Sequence, residues 1–170
     1  MNAYIGLGSN LGDRAGHLLL AVRGMMNAGL AVARLSSIYE TEPVDALTNN
    51  PLDLNAQPLF LNMIAELSGA LPPPEQLLAR LLRIEYALGR RRPVAHAART
   101  IDLDLLLYGD KQQRTEFLTL PHPRLHLRRF VLTPLVELAP HREHPVLHQT
   151  FSQLLAAAED KSEVKIWQPI

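Results

Sequence analysis

Apolar residues recur along this chain in two rhythms, every second position in some stretches and every third or fourth in others. Ala3-Tyr4-Ile5-Gly6-Leu7-Gly8 reads as a strand, Ser9-Asn10-Leu11-Gly12 as a turn, and the stretch after Asp13, with Leu18 to Val22, Met25 and Met26, as a helix capped by that aspartate. Leu30 to Tyr39 and Pro58 to Leu67 read as two further strands, and the Pro, Asp and Asn content of Thr41 to Gln57 between them marks a long mobile loop. Pro72-Pro73-Pro74 opens a second helix with Leu77, Leu81, Ile84 and Leu88 in one stripe, ended by Gly89. A basic loop, Arg90 to Ala98, leads into a fourth strand that carries Asp102 and Asp104. The order βαββαβ predicts an α+β fold, the ferredoxin-like arrangement of an antiparallel sheet covered by helices. Leu118 to Pro140, a histidine-bearing loop and short helix, and the helix Phe151 to Glu159 are expected as C-terminal additions to that core.

The chain has 170 residues, 47% of them hydrophobic, which predicts one domain over 1–170 with a substantial core. Its formal net charge is zero, so nothing in the overall field favours nucleic acid or an anionic membrane, and neither is expected as a partner. It has no cysteine, which excludes disulfide and thiol chemistry. Met1-Asn2-Ala3-Tyr4 lacks the basic-then-apolar pattern of a signal peptide, so a cytoplasmic location is expected, and no apolar run reaches the about 20 residues of a membrane helix; a monomer is expected as well.

Two carboxylates change this bland picture. Asp102 and Asp104 stand two positions apart in a strand, so they face the same way, roughly 7 Å apart. Like charges there repel by about 2 kcal/mol at an effective dielectric near 20, and a divalent cation reverses the sign. The plainer explanation is the solvated face of an amphipathic strand. Against it, Leu103 and Leu105 to Leu107 read as buried sheet, where an unpaired carboxylate is costly. Magnesium, which favours one or two carboxylates plus phosphates, would make the pair a phosphoryl-transfer site.

Other constellations are weaker alone. Gly6-Leu7-Gly8-Ser9-Asn10-Leu11-Gly12 has the wrong spacing for a dinucleotide fingerprint, and either a ligand-approaching turn or a purely structural one fits it. Phe60, Asn62 and Ile64 share one strand face; an aromatic beside an amide suits a flat heterocycle, although ordinary core with one satisfied asparagine is the simpler reading. Arg90, Arg91, Arg92, Arg99, His122, Arg124, Arg128 and Arg129 surround the Asp strand with cations, as a triphosphate requires, but basic loops are usually just solvated. His141, His144 and His148 read as surface histidines, because Pro145 interrupts any metal-binding spacing.

Taken in order, several segments resemble 6-hydroxymethyl-7,8-dihydropterin pyrophosphokinases: Tyr4-Ile5-Gly6-Leu7-Gly8-Ser9-Asn10-Leu11-Gly12, Tyr39-Glu40-Thr41-Glu42-Pro43, Phe60-Leu61-Asn62, Arg83-Ile84-Glu85, Gly89-Arg90, Arg99-Thr100-Ile101-Asp102-Leu103-Asp104, Pro121-His122-Pro123-Arg124 and Arg128-Arg129-Phe130-Val131-Leu132. They span nearly the whole chain through Pro140. The resemblance implies transfer of an intact diphosphate from the co-substrate ATP to the hydroxymethyl oxygen of 6-hydroxymethyl-7,8-dihydropterin, in folate biosynthesis, with release of AMP. It implies two Mg²⁺ ions held by Asp102 and Asp104, with Arg92 and Arg99 completing the catalytic set. It places the pterin among Gly8, Thr41, Pro43, Val44, Phe60, Asn62, His96 and Phe130, and ATP among Glu85, Arg92, Arg99, Ile101, Thr119, His122 and Arg128.

Three departures from the family pattern stand out. The family usually reads Arg-Trp-Gly-Pro-Arg before the Asp strand, where this chain has Ala95-His96-Ala97-Ala98-Arg99, so the tryptophan that sandwiches the pterin is missing, with His96 near its place, and the only tryptophan, Trp167, stands near the C-terminus. A glutamine expected one turn before Glu85 is Leu82, and a loop lysine position falls at about Pro93. An active diphosphokinase is the first expectation, and a catalytically weakened paralogue that binds ATP or pterin is the alternative.

Overall fold

The computed structural model describes residues 1–43, 58–89 and 100–169. Strand β1 (Ala3–Ser9) leads into helix α1 (Arg14–Asn27), which starts where the sequence predicts: the Asp13 carboxylate accepts from the Gly16 N–H at 3.0 Å. Every third or fourth residue of α1, Leu18, Ala21, Val22 and Met25, is buried. Strands β2 (Ala31–Leu35), β3 (Tyr39–Thr41) and β4 (Phe60–Ser68) follow, then helix α2 (Pro74–Ala87), with proline at its first turn and Leu77, Leu81 and Ile84 inward. Strand β5 (Asp102–Tyr108), a small hairpin of β6 (Gln113–Arg114) and β7 (Thr119–Leu120), a 3₁₀ turn (Leu125–Leu127), helices α3 (Arg129–Leu138) and α4 (Phe151–Ala157) and strand β8 (Val164–Ile166) complete the chain.

The main sheet runs β5-β1-β4-β3-β8, with β2 also on β4, and every pairing is antiparallel. This is the expected ferredoxin-like arrangement. One face packs Ile5, Leu7, Leu61, Met63, Leu103 and Leu105 against α1 and α2; the other packs Ile64 and Leu106 against Val131, Leu132, Leu135 and Phe151 of α3 and α4. The C-terminal additions thus supply the second core layer.

Two expectations need correction. The strand expected from Leu30 to Tyr39 is broken at Ser36-Ser37-Ile38. There the Ser36 hydroxyl accepts from the Ile64 N–H (2.8 Å) and donates to the Ser37 carbonyl (2.8 Å), so a side chain stands in for a ladder group and the backbone turns away. His144, expected at the surface, is 4% exposed, because its Nδ1 accepts from the Val146 and Leu147 N–H groups and the ring closes that turn from inside.

Candidate active site

Strand register gathers the candidate residues from four strands. Gly8 pairs with Asp102 on one side and with Asn62 on the other, and Asn62 in turn pairs with Tyr39. One row therefore runs Asp102, Gly8, Asn62, Tyr39 across four strands, on the sheet face covered by α3. One step along the strands, Gly6 pairs with Asp104 and Ile64. Two glycines thus separate the carboxylates from the amide, forming a floor without side chains two interstrand spacings wide, about 10 Å.

Gly8 is glycine for a steric reason: a Cβ there would lie 2.7 Å from Asn62 Oδ1. The amide is held over this floor by Thr41, whose Oγ1 accepts from Asn62 Nδ2 at 2.7 Å. Oδ1 is thereby turned toward Gly8, an acceptor at the edge of the groove. Phe60 is half-buried on the same face one step along β4, paired with Thr41, and Pro43 is buried beyond it. The start of β4 is fixed by the first turn: Arg14 donates to the Leu59 carbonyl (2.9 Å) and the Glu40 carboxylate (3.0 Å), and Asn10 donates to the Pro58 carbonyl (3.4 Å).

On the carboxylate side, Asp102 and Asp104 are partly exposed while Leu103 between them is buried against the opposite layer. Glu85, 2% exposed, accepts the Leu103 N–H at 2.8 Å and so braces the strand at the residue between the two aspartates. Among the described residues no group of three or more His, Cys, Asp or Glu forms a metal cluster. Two hard carboxylates on one face, with open floor beside them, fit a magnesium ion that takes its other ligands from phosphate oxygens and water.

His122 enters from the segment after β7, its N–H donating to the Leu106 carbonyl of β5 (2.9 Å). Its Nδ1 accepts from the Arg124 N–H (3.1 Å), which leaves the proton of the neutral ring on Nε2. Burial, then the nearby Arg128 and Arg124 charges, push its pKa down to about 4, with Asp102 opposing. It is a neutral hydrogen-bond donor near physiological pH. Arg128 places its guanidinium 5.6 Å from the Phe130 ring centroid at the start of α3, a cation–π contact. Thr119 is half-buried on β7, and Ile101 is fully buried, so its side chain is core and its backbone is what it offers a ligand.

Strand register or hydrogen bonds thus join Gly8, Thr41, Phe60, Asn62, Asp102 and Asp104, with His122 held against β5 and Arg128 and Phe130 paired at the start of α3. Glu85 and Ile101 sit behind them as supports. Val44, Arg92, His96 and Arg99, together with Arg90 and Arg91, lie outside the described residues. Sequence reasoning missed β8, which at three residues carries no periodic signal.

Fold and site define a class: a ferredoxin-like α+β domain with a carboxylate pair and a side-chain amide across a glycine floor, suited to metal-assisted transfer of a phosphoryl-type group. The chain belongs to the 7,8-dihydro-6-hydroxymethylpterin-pyrophosphokinase (HPPK) family, whose sequence model matches residues 4–140. It is 40% identical over 167 residues to a 2-amino-4-hydroxy-6-hydroxymethyldihydropteridine pyrophosphokinase of Bacillus subtilis, covering 98% of this chain and 90% of that protein. It is 33% identical over 150 residues to the Aquifex aeolicus protein of the same name, covering 88% of each. In fold it is similar to the wild-type Plasmodium falciparum HPPK-DHPS crystal structure, with a TM-score of 0.67 at 16% identity; the match covers 91% of this chain and 44% of that longer one.

Proposed function

We propose that this chain transfers diphosphate from ATP to 6-hydroxymethyl-7,8-dihydropterin in the groove between Asp102 and Asn62. The activity is the family's, that of an ATP-dependent pyrophosphokinase in folate biosynthesis. The observation that carries this placement is the single row Asp102, Gly8, Asn62: an acidic side chain and a heterocycle-binding amide on one face, with nothing but glycine between them.

At the amide end, Asn62 Oδ1 accepts from the donor edge of the pterin. Its orientation is supported by the Thr41 bond, and Phe60 and Phe130 supply aromatic surface for the ring. At the acidic end, Asp102 and Asp104 hold two magnesium ions, which when bound neutralise phosphate charge and align the chain of phosphates. His122 donates from Nε2 to a phosphate oxygen, and Arg128 adds a permanent positive charge. Thr119 lies on the nucleotide side, Ile101 offers its backbone there, and Glu85 supports that side from behind through β5. The hydroxymethyl oxygen bonds to the β-phosphorus as the bond from that phosphorus to the α–β bridging oxygen breaks. AMP leaves with the bridging oxygen, and the hydroxyl proton passes to solvent. No covalent enzyme intermediate is required; catalysis is positioning and electrostatics. Arg92, Arg99, His96 and Val44 are assigned to the same site by resemblance to the family, and the chain works as a cytoplasmic monomer.

An AMP-release assay with ATP, Mg²⁺ and the dihydropterin tests this. Equimolar AMP and pterin diphosphate support it. Binding of both substrates by calorimetry with background AMP production would instead identify a weakened paralogue.

A further inference from the structure

One short stretch near the C-terminus holds both walls of the groove. Asp160 Oδ2 accepts from the N–H of Arg129, the first residue of α3, at 3.0 Å, and its Oδ1 accepts from the Ser162 N–H at 2.9 Å. Helix α3 has no side-chain cap of its own, since Arg128 at its N-cap makes no such bond. Three residues further on, the Glu163 N–H donates to the Glu42 carboxylate (3.2 Å); β8 then pairs with β3, Val164 opposite Thr41, and the Trp167 N–H donates to the Ile38 carbonyl (2.8 Å). The strap 160–167 therefore joins the helix end that bears Arg128 and Phe130 to the strand that bears Thr41. Helix α3 is also tied to β3 by Glu137, which accepts from the Tyr39 hydroxyl at 2.6 Å, but that contact lies seven residues, about 10 Å, down the helix from Phe130. The strap thus fixes the end nearest the groove. It lies beyond residue 140, outside the residues that the family's sequence model matches.

We infer that Asp160 is a positioning residue for the pterin pocket: by capping α3 from a segment bonded to β3, it sets the gap between Phe130 and the Thr41–Asn62 pair. This rests on the functional reading above, in which the pterin lies between those groups. Losing the cap frees the first turn of α3 to shift, which loosens the ring-binding gap more than the phosphate site: Asp102 and Asp104 lie on β5 and His122 is held against it, a strand braced separately by Glu85, and of the described phosphate-binding groups Arg128 alone rides on the helix end.

The test is steady-state kinetics of the full chain with each substrate varied in turn. Asp160→Ala is expected to raise the pterin KM about tenfold, equivalent to about 1.4 kcal/mol, while the ATP KM stays within about twofold. Asp160→Asn, which can keep an oxygen on the Arg129 N–H but loses the second acceptor that serves Ser162, is expected to recover part of the loss. Glu42→Ala, which removes the acceptor of the Glu163 N–H and leaves the β8–β3 pairing and the Trp167–Ile38 bond in place, should move the pterin KM in the same direction by about threefold, and it decides the question by the same split if Asp160→Ala does not fold. An unchanged pterin KM, or an equal rise in both KM values, overturns the proposal whatever the melting temperature does. Calorimetry on the wild-type chain comes first: no pterin binding there overturns the functional reading and this inference with it.

Discussion

At the scale of single residues, the site depends on what glycine leaves out and what threonine holds. Gly8→Ala would place a methyl 2.7 Å from Asn62 Oδ1, so the amide must swing off the floor. The expected result is at least a tenfold loss of pterin affinity by calorimetry, about 1.4 kcal/mol, with ATP affinity little changed. Thr41→Val keeps the shape but removes the acceptor of the Asn62 amide, leaving a buried donor without its partner. That should cost about 1–3 kcal/mol, seen as weaker pterin binding together with a lower melting temperature. The carboxylates and Asn62 were legible in the sequence because side-chain alternation alone puts them on strand faces. Their adjacency across Gly8 was not, since it needs the strand order and register that only long-range pairing fixes.

At the scale of elements, the two helices on the first face were readable from their apolar stripes, their Asp13 cap and their proline start. The break between β2 and β3 was not. It comes from a serine hydroxyl competing with the ladder, which no apolar rhythm encodes. Strand β8 is three residues long, too short for a periodic signal. The brace on β5 is likewise a tertiary contact: Glu85 sits on α2 yet serves the backbone between the two aspartates. Glu85→Leu should leave the Leu103 N–H without that acceptor, at a cost of about 1–3 kcal/mol. Each kcal/mol lowers the melting temperature by about 2–4 °C at this chain length. Turnover should fall too, because Asp102 and Asp104 lose their fixed spacing. Glu85→Gln, which still offers an oxygen, should recover most of both. Equal effects of the two substitutions would contradict the brace.

At the scale of the whole molecule, the fold is two cores on one sheet, and the C-terminal part builds the second of them. His144 ties that part down and makes it sensitive to acid. Burial, then the charges of His126 and His148, push its pKa from the usual 6.5 down to about 4. The unfolded chain therefore binds a proton in a window where the folded chain does not, so His144 favours folding above about pH 6.5 and that contribution drains away toward pH 4. Urea denaturation should show the wild-type stability falling from pH 7 to pH 5, and more steeply than for His144→Asn, which has no titrating ring. Parallel pH profiles for the two would contradict this. The active-site claim reaches across the same molecule, from β5 to β4, and one measurement tests it most directly: AMP formed from ATP with Mg²⁺ and 6-hydroxymethyl-7,8-dihydropterin, by the wild-type chain and by folded Asp102→Asn and Asp104→Asn variants. The wild-type chain should form AMP and pterin diphosphate in equal amounts, and each variant should be slower by about a hundredfold or more. Wild-type rates in either variant, or no pterin-dependent AMP from the wild-type chain, would contradict the account.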